Sequence, residues 1–457
     1  MATECIAQVS FGFQGLTKRV VARFDQAHAS SDGGALLLKA IDERLGVTER
    51  VARSLTDGRQ PGKVQHEVIE LVRQRIYGIA CGYADCNDAA RLRDDPIHKL
   101  LLDRDPLAGP ALASQPTLSR FENAVGGQAL YLASVALADL VIEHHRARLT
   151  GRAHRITIDL DPTDDPTHGQ QELTFFNGHY DSWCYLPVVA TLTFNAEPTQ
   201  YLVAAVLRPG NSPAKHGALG LLTRLFRRLR VAFPGAILRV RLDGGFASPE
   251  VLDFLEAETV EYVVAMASNV RLLKRSRRLM GRARMVSKAS GETAHVFGET
   301  RYAARKWRRK RRIVMKAEVV RHPGRAPKNN PRFVITNLAD PPEAVYQVYR
   351  ERGDMENRLK ELHHGLEMDR TSCHRFTANQ FRVLLTAAAY ILFQALQAHA
   401  QGTACADAQV STLRERLIKL AAWVERSARR IVLHLPTTYP WLTTWRQLAV
   451  AVGAAPA

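Results

Sequence analysis

Aspartates close two predicted strands of this chain, at positions where carboxylate oxygens could hold divalent cations. Asp161 ends the alternating segment HRITIDLD, and Asp159 lies two residues earlier on the same face of that strand. Asp243 ends a second predicted strand, ILRVRLD, and the Gly-Gly pair that follows lets the backbone turn sharply towards a ligand. Hard cations such as Mg2+ prefer oxygen ligands, so both strand ends are candidate metal sites.

A third carboxylate, Glu356, lies on a predicted helix in the segment YRERGDMENRLKEL. Tyr349, Arg352 and Glu356 are spaced i, i+3 and i+7, so they share one face of that helix. A tyrosine, an arginine and a carboxylate aligned in this way could hold a phosphate group beside a metal ion. Phosphodiester cleavage with two metal ions needs carboxylates that converge from separate parts of a fold, because each ion must also keep positions open for phosphate and water.

Each carboxylate also has an ordinary structural interpretation. An aspartate that closes a strand is usually a turn or helix-cap residue, and a glutamate beside an arginine on a helix is usually a solvated ion pair. The combination is more specific than its members, because two strand-end aspartates, a late helical glutamate and a dense basic segment occur in one chain.

Positive charge is concentrated in one internal segment, residues 271–330. It carries 20 Lys or Arg and three Glu, a net charge of +17, whereas the rest of the 457-residue chain holds 43 basic and 42 acidic residues. Aromatic residues lie among these cations, which suits phosphate contact combined with base stacking and predicts a polyanion partner. A solvated basic loop is the alternative. The residues of this segment expected to contact DNA are Arg305, Lys306, Trp307, Arg308, Arg309 and Lys310.

Length and composition predict a folded protein of several domains. A hydrophobic fraction of 46% and a charged fraction of 24% are ordinary for a globular chain. The six cysteines contain no C-x-x-C pair, so neither a zinc ribbon nor a disulfide framework is expected. The N-terminal residues MATECIAQVSFGF lack a basic stretch followed by an apolar one, so no secretory signal is expected. The longest uncharged apolar run, residues 383–396, is too short to cross a bilayer. The sequence therefore predicts a cytoplasmic protein without a membrane partner.

The elements that must position the carboxylates change character along the chain. Residues 1–150 show helical spacing of apolar residues, which fits a DNA-reading domain and equally a dimerisation or packing domain. Strands and helices alternate from about residue 154 to 266, which indicates a mixed sheet covered by helices. The basic segment that follows contains three strand-like runs, at residues 295–303, 313–320 and 333–336.

Helices are predicted again after Pro341-Pro342. Residues 376–399 form a largely apolar candidate helix, and residues 412–433 form another. The apolar stripe of the second candidate is more typical of a core face than of an interaction seam, and it consists of Leu413, Leu417, Leu420, Val424, Ala428 and Ile431.

At its three carboxylates the chain resembles the DDE transposases of bacterial insertion sequences, in the group with a Y-x2-R-x3-E-x6-K signature. Tyr349, Arg352 and Glu356 match the first three signature residues. The lysine position falls on His363, and Lys360 lies three residues earlier, so either residue is a candidate for contact with DNA phosphate. Within this group the segments IDLDPT, GQQELTFFNGHYDSW, RLDGGF and KLAAWVERSARRIVLHLP are similar to the insertion-sequence family designated thirteen-eighty.

The resemblance implies an α/β fold in which an RNase H-like mixed-sheet catalytic core carries a basic, β-rich insertion between helical N-terminal and C-terminal regions. It implies that Asp161, Asp243 and Glu356 are the catalytic, metal-binding triad, with Asp159 as the alternative first aspartate. The cofactor would be two Mg2+ ions, for which Mn2+ could substitute. The implied domains are a helical DNA-binding domain (1–150), the first part of the core (151–268), the basic insertion (269–338), the core helix with the glutamate (339–375) and a helical C-terminal region (376–457).

The implied reaction is DNA transposition. Water attacks the phosphodiester at a transposon end, and the freed 3′-hydroxyl attacks target DNA while metal ions stabilise the entering and leaving oxygens. The expected partners are double-stranded DNA, as terminal inverted repeats and as target, and a second copy of the chain in a synaptic homodimer. Relatives can use a DNA hairpin with a flipped base stacked on an aromatic residue, for which Trp307 is the candidate and ordinary packing the alternative.

Three other functions compete with transposition. A nuclease with the same core would cut DNA without strand transfer, and an inactive regulator would bind DNA without cutting it. A glycosidase could also use paired carboxylates, but it would leave the basic segment unexplained.

Overall fold

Helices fill most of the N-terminal region, but strands precede them. The computed structural model describes residues 8–149 and 151–455. Residues 8–30, expected to be helical, instead form an exposed hairpin and a short third strand, because β-branched and aromatic residues alternate there. The elements of this region are β1 (Gln8–Phe11), β2 (Val20–Arg23), β3 (Ala29–Ser30), α1 (Leu36–Leu45), α2 (Val47–Arg53), α3 (Val68–Ala80), α4 (Cys86–Arg91), α5 (Pro96–Leu101), α6 (Gln115–Ala124) and α7 (Gly127–Arg148).

Strands and helices alternate in the next part of the chain, as the sequence predicts. The strand β8, VVATLTF, has every residue buried, because both faces of the sheet are covered. The elements are β4 (Arg155–Pro162), β5 (Asp165–Pro166), β6 (Phe175–Asn177), β7 (Ser182–Tyr185), β8 (Val188–Phe194), β9 (Tyr201–Val206), α8 (Ala218–Ala232), β10 (Ile237–Leu242), α9 (Pro249–Ala257) and β11 (Glu261–Met266).

The basic segment contains a long helix as well as the predicted strands. The three predicted strands are confirmed within two residues of their bounds. The prediction of a mostly β segment is wrong for residues 270–290, which form a helix because Arg and Lys favour helices and a narrow inward stripe of small or apolar side chains packs on the sheet. The elements are α10 (Val270–Ser290), β12 (Ala294–Tyr302), β13 (Arg311–Val320), β14 (Lys328–Asn329) and β15 (Arg332–Thr336).

One nine-stranded mixed sheet joins the basic segment to the strands before it. The strand order is β12-β13-β15-β11-β10-β4-β8-β9, with β14 paired to β13. At the centre, β10 is parallel to both β4 and β11, whereas β8 and β15 run antiparallel to their neighbours. The strands of the basic segment therefore extend the central sheet rather than forming a separate one.

The C-terminal region confirms one predicted helix and corrects another. The apolar helix at residues 376–399 is confirmed, but the helix predicted over 412–433 ends at Ile418. A hairpin follows because its first strand pairs with β3, a tertiary contact that the local apolar spacing does not encode. The elements are α11 (Pro342–Arg350), a 3-10 turn (Glu351–Gly353), α12 (Asp354–Lys360), a π-helical turn (Glu361–Gly365), α13 (Phe376–His399), α14 (Val410–Leu413), a π-helical turn (Arg414–Ile418), β16 (Ala422–Arg426), β17 (Ile431–His434) and α15 (Leu442–Ala451).

The long helix α13 forms the core on one face of the sheet. It is apolar and long enough to cross a membrane, but 83% of its most apolar 18-residue window is buried inside the protein. It packs against α3, α7 and β9. The opposite face of the sheet is covered by α8, whose Leu222 and Phe226 belong to the same buried cluster as Ile156 and Ile158 of β4. Helices on both faces thus hold β4 and β10 in the middle of a buried sheet.

Candidate active site

Two aspartates meet at the carboxyl ends of neighbouring parallel strands. β4 and β10 are in a register that pairs Leu160 with Leu242, so Asp161 and Asp243 follow at adjacent positions. Neighbouring strands lie about 4.8 Å apart, which brings the two carboxylates to the same edge of the sheet. Asp243 then begins a 3-10 turn, and its Oδ1 accepts a hydrogen bond of 3.0 Å from the amide of Gly245. The Gly-Gly pair therefore turns the chain away while one oxygen of Asp243 stays without a protein donor among the described residues.

Glu356 reaches the same site from the first turn of α12. The pKa of Asp161 is raised to about 7 by several effects together: burial is the largest and raises it, Arg352 lowers it, and the negative charges of Asp243 and Glu356 raise it. Like charges act on a carboxyl group in this way only over short distances. Asp243 and Glu356 therefore both lie within electrostatic reach of Asp161, although the three residues come from separate parts of the chain.

Arg352 supports the cluster through a direct ion pair. One of its terminal nitrogens lies 2.6 Å from Asp161 Oδ1, and both side chains are mostly buried. Its Nε is buried and has no hydrogen-bond partner among the described residues. The segment around it departs from the predicted single helix, because α11 tightens into the 3-10 turn before α12 begins. Arg352 therefore contributes one bond to the site and keeps a donor unused.

Tyr349 also faces the carboxylates. Burial raises the pKa of its hydroxyl, Arg352 lowers this pKa, and the charges of Asp243 and Asp161 raise it. Tyr349, Arg352 and Glu356 thus all lie near Asp161, although the 3-10 turn interrupts the single helix that the i, i+3, i+7 spacing assumes.

Asp159 lies two residues before Asp161, in a fully enclosed ion pair. Its two oxygens accept hydrogen bonds of 2.7 Å each from Nε and a terminal nitrogen of Arg241, and Gln200 Nε2 donates a third at 3.1 Å. Arg241 also reaches Glu351 at 3.0 Å. Burial lowers the pKa of Arg241, but the hydrogen bonds and the charge of Asp159 raise this pKa, and the net effect is an increase. With both oxygens occupied, Asp159 ties β4 and β10 to the turn that carries Arg352, and Asp161 is the aspartate left to face the cluster.

The two candidates for the signature lysine position lie in different surroundings. His363, in the π-helical turn, has its Nε2 3.0 Å from Thr163 Oγ1 and its Nδ1 3.6 Å from Asp369. Lys360 is exposed at the end of α12. His363 is therefore attached to the loop that follows Asp161, whereas Lys360 points to solvent.

Trp307 is packed inside the protein rather than offered to solvent. It is 9% exposed, its ring centroid lies 5.8 Å from that of Tyr302, and the Arg311 guanidinium stacks over it at 5.2 Å. This arrangement agrees with ordinary packing, the alternative role expected for Trp307. Base stacking on Trp307 would require the ring to leave these contacts. The five cations beside it are exposed, and one of them, Arg309, pairs with Glu256.

The helix α10 carries a cationic surface that the residue-level predictions missed. Its eight basic residues are all exposed, and none forms an ion pair with an acidic residue of the described chain. Lys274, Arg278 and Arg282 follow at intervals of four, on the side opposite the buried stripe. The buried stripe includes the polar residues Ser276 and Ser287, so the apolar periodicity of this segment is too weak to predict a helix. The high density of cations in this segment is the sequence feature that indicates a cationic surface.

A second group of potential metal ligands lies outside this site. Asp32, Cys81 and His98 are buried close together, with His98 Nε2 2.9 Å from Asp32. Lys419 lies 2.7 Å from the other oxygen of Asp32, so a cation already neutralises this carboxylate. A thiol and an imidazole suit zinc rather than Mg2+, and burial raises the pKa of the Cys81 thiol well above its ordinary value. The group therefore acts as an ion-pair network that joins the N-terminal and C-terminal regions.

The buried pair Asp159–Arg241 yields a stability prediction. Arg241→Met is expected to lower the free energy of unfolding by about 3–5 kcal/mol, because it leaves the Asp159 carboxylate enclosed without its partner. The double variant Asp159→Leu/Arg241→Met is expected to recover most of this loss, because apolar groups of similar size replace the pair. Urea unfolding of the three proteins measures both effects. Equal losses in the single and double variants would contradict this account.

Comparison with known proteins gives one family match. The family described as "Transposase DDE domain group 1" matches residues 14–456. No curated protein matches the chain. The matched range covers nearly the whole chain and includes Asp161, Asp243 and Glu356. The chain therefore belongs to the family of DDE transposases.

Proposed function

We propose that this transposase cleaves transposon ends at a site built from Asp161, Asp243 and Glu356, and joins the freed 3′-hydroxyl to target DNA. The proposal is supported by the register that sets Asp161 and Asp243 at neighbouring strand ends, and by the effect of the charges of Asp243 and Glu356 on the pKa of Asp161. We further propose that the sheet and its helices form an RNase H-like core, and that the chain belongs to the Y-x2-R-x3-E-x6-K group, near the family designated thirteen-eighty.

The chemistry of the three side chains fits divalent metal ions. All three offer carboxylate oxygens, the donors that Mg2+ and Mn2+ favour. Burial and two neighbouring negative charges raise the pKa of Asp161, a crowding that a bound divalent cation would relieve. Bound there, two such ions would supply Lewis-acid stabilisation of negative charge on the phosphodiester.

The neighbouring side chains suit the handling of a phosphate. Arg352 pairs with Asp161, and its buried Nε has no hydrogen-bond partner within residues 8–149 and 151–455, so this Nε could donate to a phosphate oxygen. Tyr349 offers a hydroxyl on the same side. His363, attached to Thr163, and the exposed Lys360 are the residues proposed to contact the DNA backbone next to the cut.

The cationic surface of α10 supports binding of double-stranded DNA, as do the exposed cations Arg305, Lys306, Arg308 and Lys310. Its eight exposed cations, which pair with no acidic residue that the structure describes, attract a polyanion through release of its counterions. Because two transposon ends must be held together for joining, we propose that the chain acts as a homodimer in the cytoplasm.

The catalytic assignment predicts loss of cleavage without loss of binding. Asp161→Asn, Asp243→Ala and Glu356→Gln are each expected to lower end cleavage by more than about 100-fold. Loss of a residue that only orients a metal ligand costs up to about 100-fold, so loss of a direct ligand should cost more. The assay uses a plasmid with the transposon ends, a target plasmid and Mg2+, with DNA affinity measured separately. Glu343→Gln, an exposed glutamate at the start of α11, is the matched control and should cleave normally.

The products of the same assay separate the competing functions. Joined DNA from the wild-type protein supports transposition, whereas cleavage without joining would identify a nuclease. Binding without cleavage would identify a DNA-binding regulator. Normal cleavage by the Asp243→Ala variant would remove Asp243 from the site.

The surface of α10 predicts a change in the salt dependence of DNA binding. The triple variant Lys274→Gln/Arg278→Gln/Arg282→Gln is expected to reduce the slope of log affinity against log salt by about 3, because each lost phosphate contact removes about one. The control Arg227→Gln/Arg429→Gln/Arg430→Gln makes the same change of net charge at exposed arginines elsewhere. Equal slopes for the two variants would show that α10 acts only through net charge.

A further inference from the structure

Arg208 is a buried arginine without a carboxylate partner. It lies two residues after β9, is 3% exposed, and forms no ion pair with any acidic residue within residues 8–149 and 151–455. Its pKa is lowered to about 10 by several effects together: burial is the largest and lowers it, whereas Tyr180 and Asp243 raise it. The guanidinium therefore stays protonated at neutral pH. An enclosed charge without an ion-pair partner costs stability, so packing alone does not explain this residue.

The guanidinium of Arg208 joins two segments of backbone. Its Nε donates to the carbonyl oxygen of Leu186 at 2.8 Å, on the connection between β7 and β8. One terminal nitrogen donates at 2.9–3.3 Å to three carbonyl oxygens in the loop at residues 209–217, those of Pro213, Ala214 and His216. The other terminal nitrogen is buried and has no hydrogen-bond partner among the described residues. Arg208 thus connects the β7–β8 connection to the loop at residues 209–217.

The β7–β8 connection lies beside the end of β4. Directly after β4, the amide of Thr163 donates to the carbonyl oxygen of Pro187 at 3.0 Å, and the strand β8 that follows Pro187 pairs with β4. Leu186 is the residue before Pro187, so it belongs to the backbone that flanks Asp161. One end of the Arg208 guanidinium is therefore attached beside the first aspartate of the site.

The loop at residues 209–217 lies against the turn that follows Asp243. A Cβ placed on Gly245 would lie 2.9 Å from Ala214 Cβ and 3.2 Å from Asp243 Oδ1, so Ala214 and the Asp243 carboxylate lie on the same side of this glycine. The same Oδ1 accepts a hydrogen bond from the amide of Gly245. The loop that Arg208 holds is therefore in contact with the turn that orients Asp243.

We infer that Arg208 is a positioning residue for Asp243: it fixes the loop at residues 209–217 to the backbone beside Asp161, and this loop supports the turn that orients the Asp243 carboxylate. The inference rests on the proposed function, which gives Asp243 a metal ion to bind. Like charges repel, so a link between the surroundings of Asp161 and Asp243 keeps the two carboxylates close enough to share a divalent cation. Groups that orient a ligand change metal affinity although they do not touch the metal.

Binding of Mn2+ followed by electron paramagnetic resonance tests this assignment. Arg208→Lys keeps the charge but replaces the planar fork with one nitrogen, which cannot take the positions of both Nε and the terminal nitrogen. It is expected to weaken Mn2+ binding by about tenfold, the lower range for residues that orient a metal ligand. In the Asp243→Asn background the same change should have no further effect, because the ligand that Arg208 positions is already lost. A general structural defect would lower the affinity in both backgrounds.

The matched control is Arg239→Lys, the same change at a buried arginine of β10. Arg239 Nε donates to Glu261 at 2.8 Å, on the neighbouring strand β11. This arginine bonds to neither of the segments that Arg208 connects, so Arg239→Lys should leave the Mn2+ affinity unchanged.

A second variant tests the same path if Arg208→Lys fails to fold, as judged by thermal unfolding. Ala214→Gly removes the Cβ that lies against Gly245 and leaves Arg208 in place, and it is expected to lose Mn2+ affinity in the same direction. Wild-type affinity in folded Arg208→Lys or in Ala214→Gly would overturn the assignment, as would equal losses from Arg208→Lys in the wild-type and Asp243→Asn backgrounds. A wild-type protein that binds no Mn2+ would contradict the proposed function itself.

Discussion

Parallel pairing of β4 with β10 is the constraint on which the candidate site depends. Their register sets Asp159 beside Arg241 and, two residues later, Asp161 beside Asp243. The first pair is of opposite charge and can be enclosed, whereas the second is of like charge and cannot be without a counterion. The buried ion pair between Asp159 and Arg241 thereby fixes the two strands that carry Asp161 and Asp243. Arg352 gives Asp161 a partial counterion, and a divalent cation would provide the rest.

The distribution of charge divides the protein into two surfaces with different tasks. At the strand ends, Arg241 pairs with Asp159 and Arg352 pairs with Asp161. Along α10, eight cations are exposed and form no ion pair with any acidic residue in the described part of the chain. In the proposed function, the second surface attracts the nucleic-acid backbone and the first processes it. Since the strands after α10 extend the same sheet as β4 and β10, one rigid framework carries both surfaces.

The sequence predicted the groups that local patterns encode and missed those that depend on distant partners. Alternation along HRITIDLD and ILRVRLD marked the strand ends, and helical spacing marked Tyr349, Arg352 and Glu356. The pairing of Asp159 with Arg241 could not be predicted, because it depends on the register between strands far apart in the chain. The strand β16 was predicted as helix because its partner β3 lies near the other end of the chain. The burial of Trp307 likewise depends on Arg311 and Tyr302 folding over it.

Binding of Mn2+ in the absence of DNA, followed by electron paramagnetic resonance, tests most directly whether three carboxylates share one site. Wild-type protein is expected to bind Mn2+. Asp161→Asn, Asp243→Asn and Glu356→Gln should each weaken that binding by at least about tenfold, because each removes a ligand oxygen from the same cluster. Wild-type affinity in any one of the three variants would contradict the shared site, since that side chain would then stand apart from the metal ions.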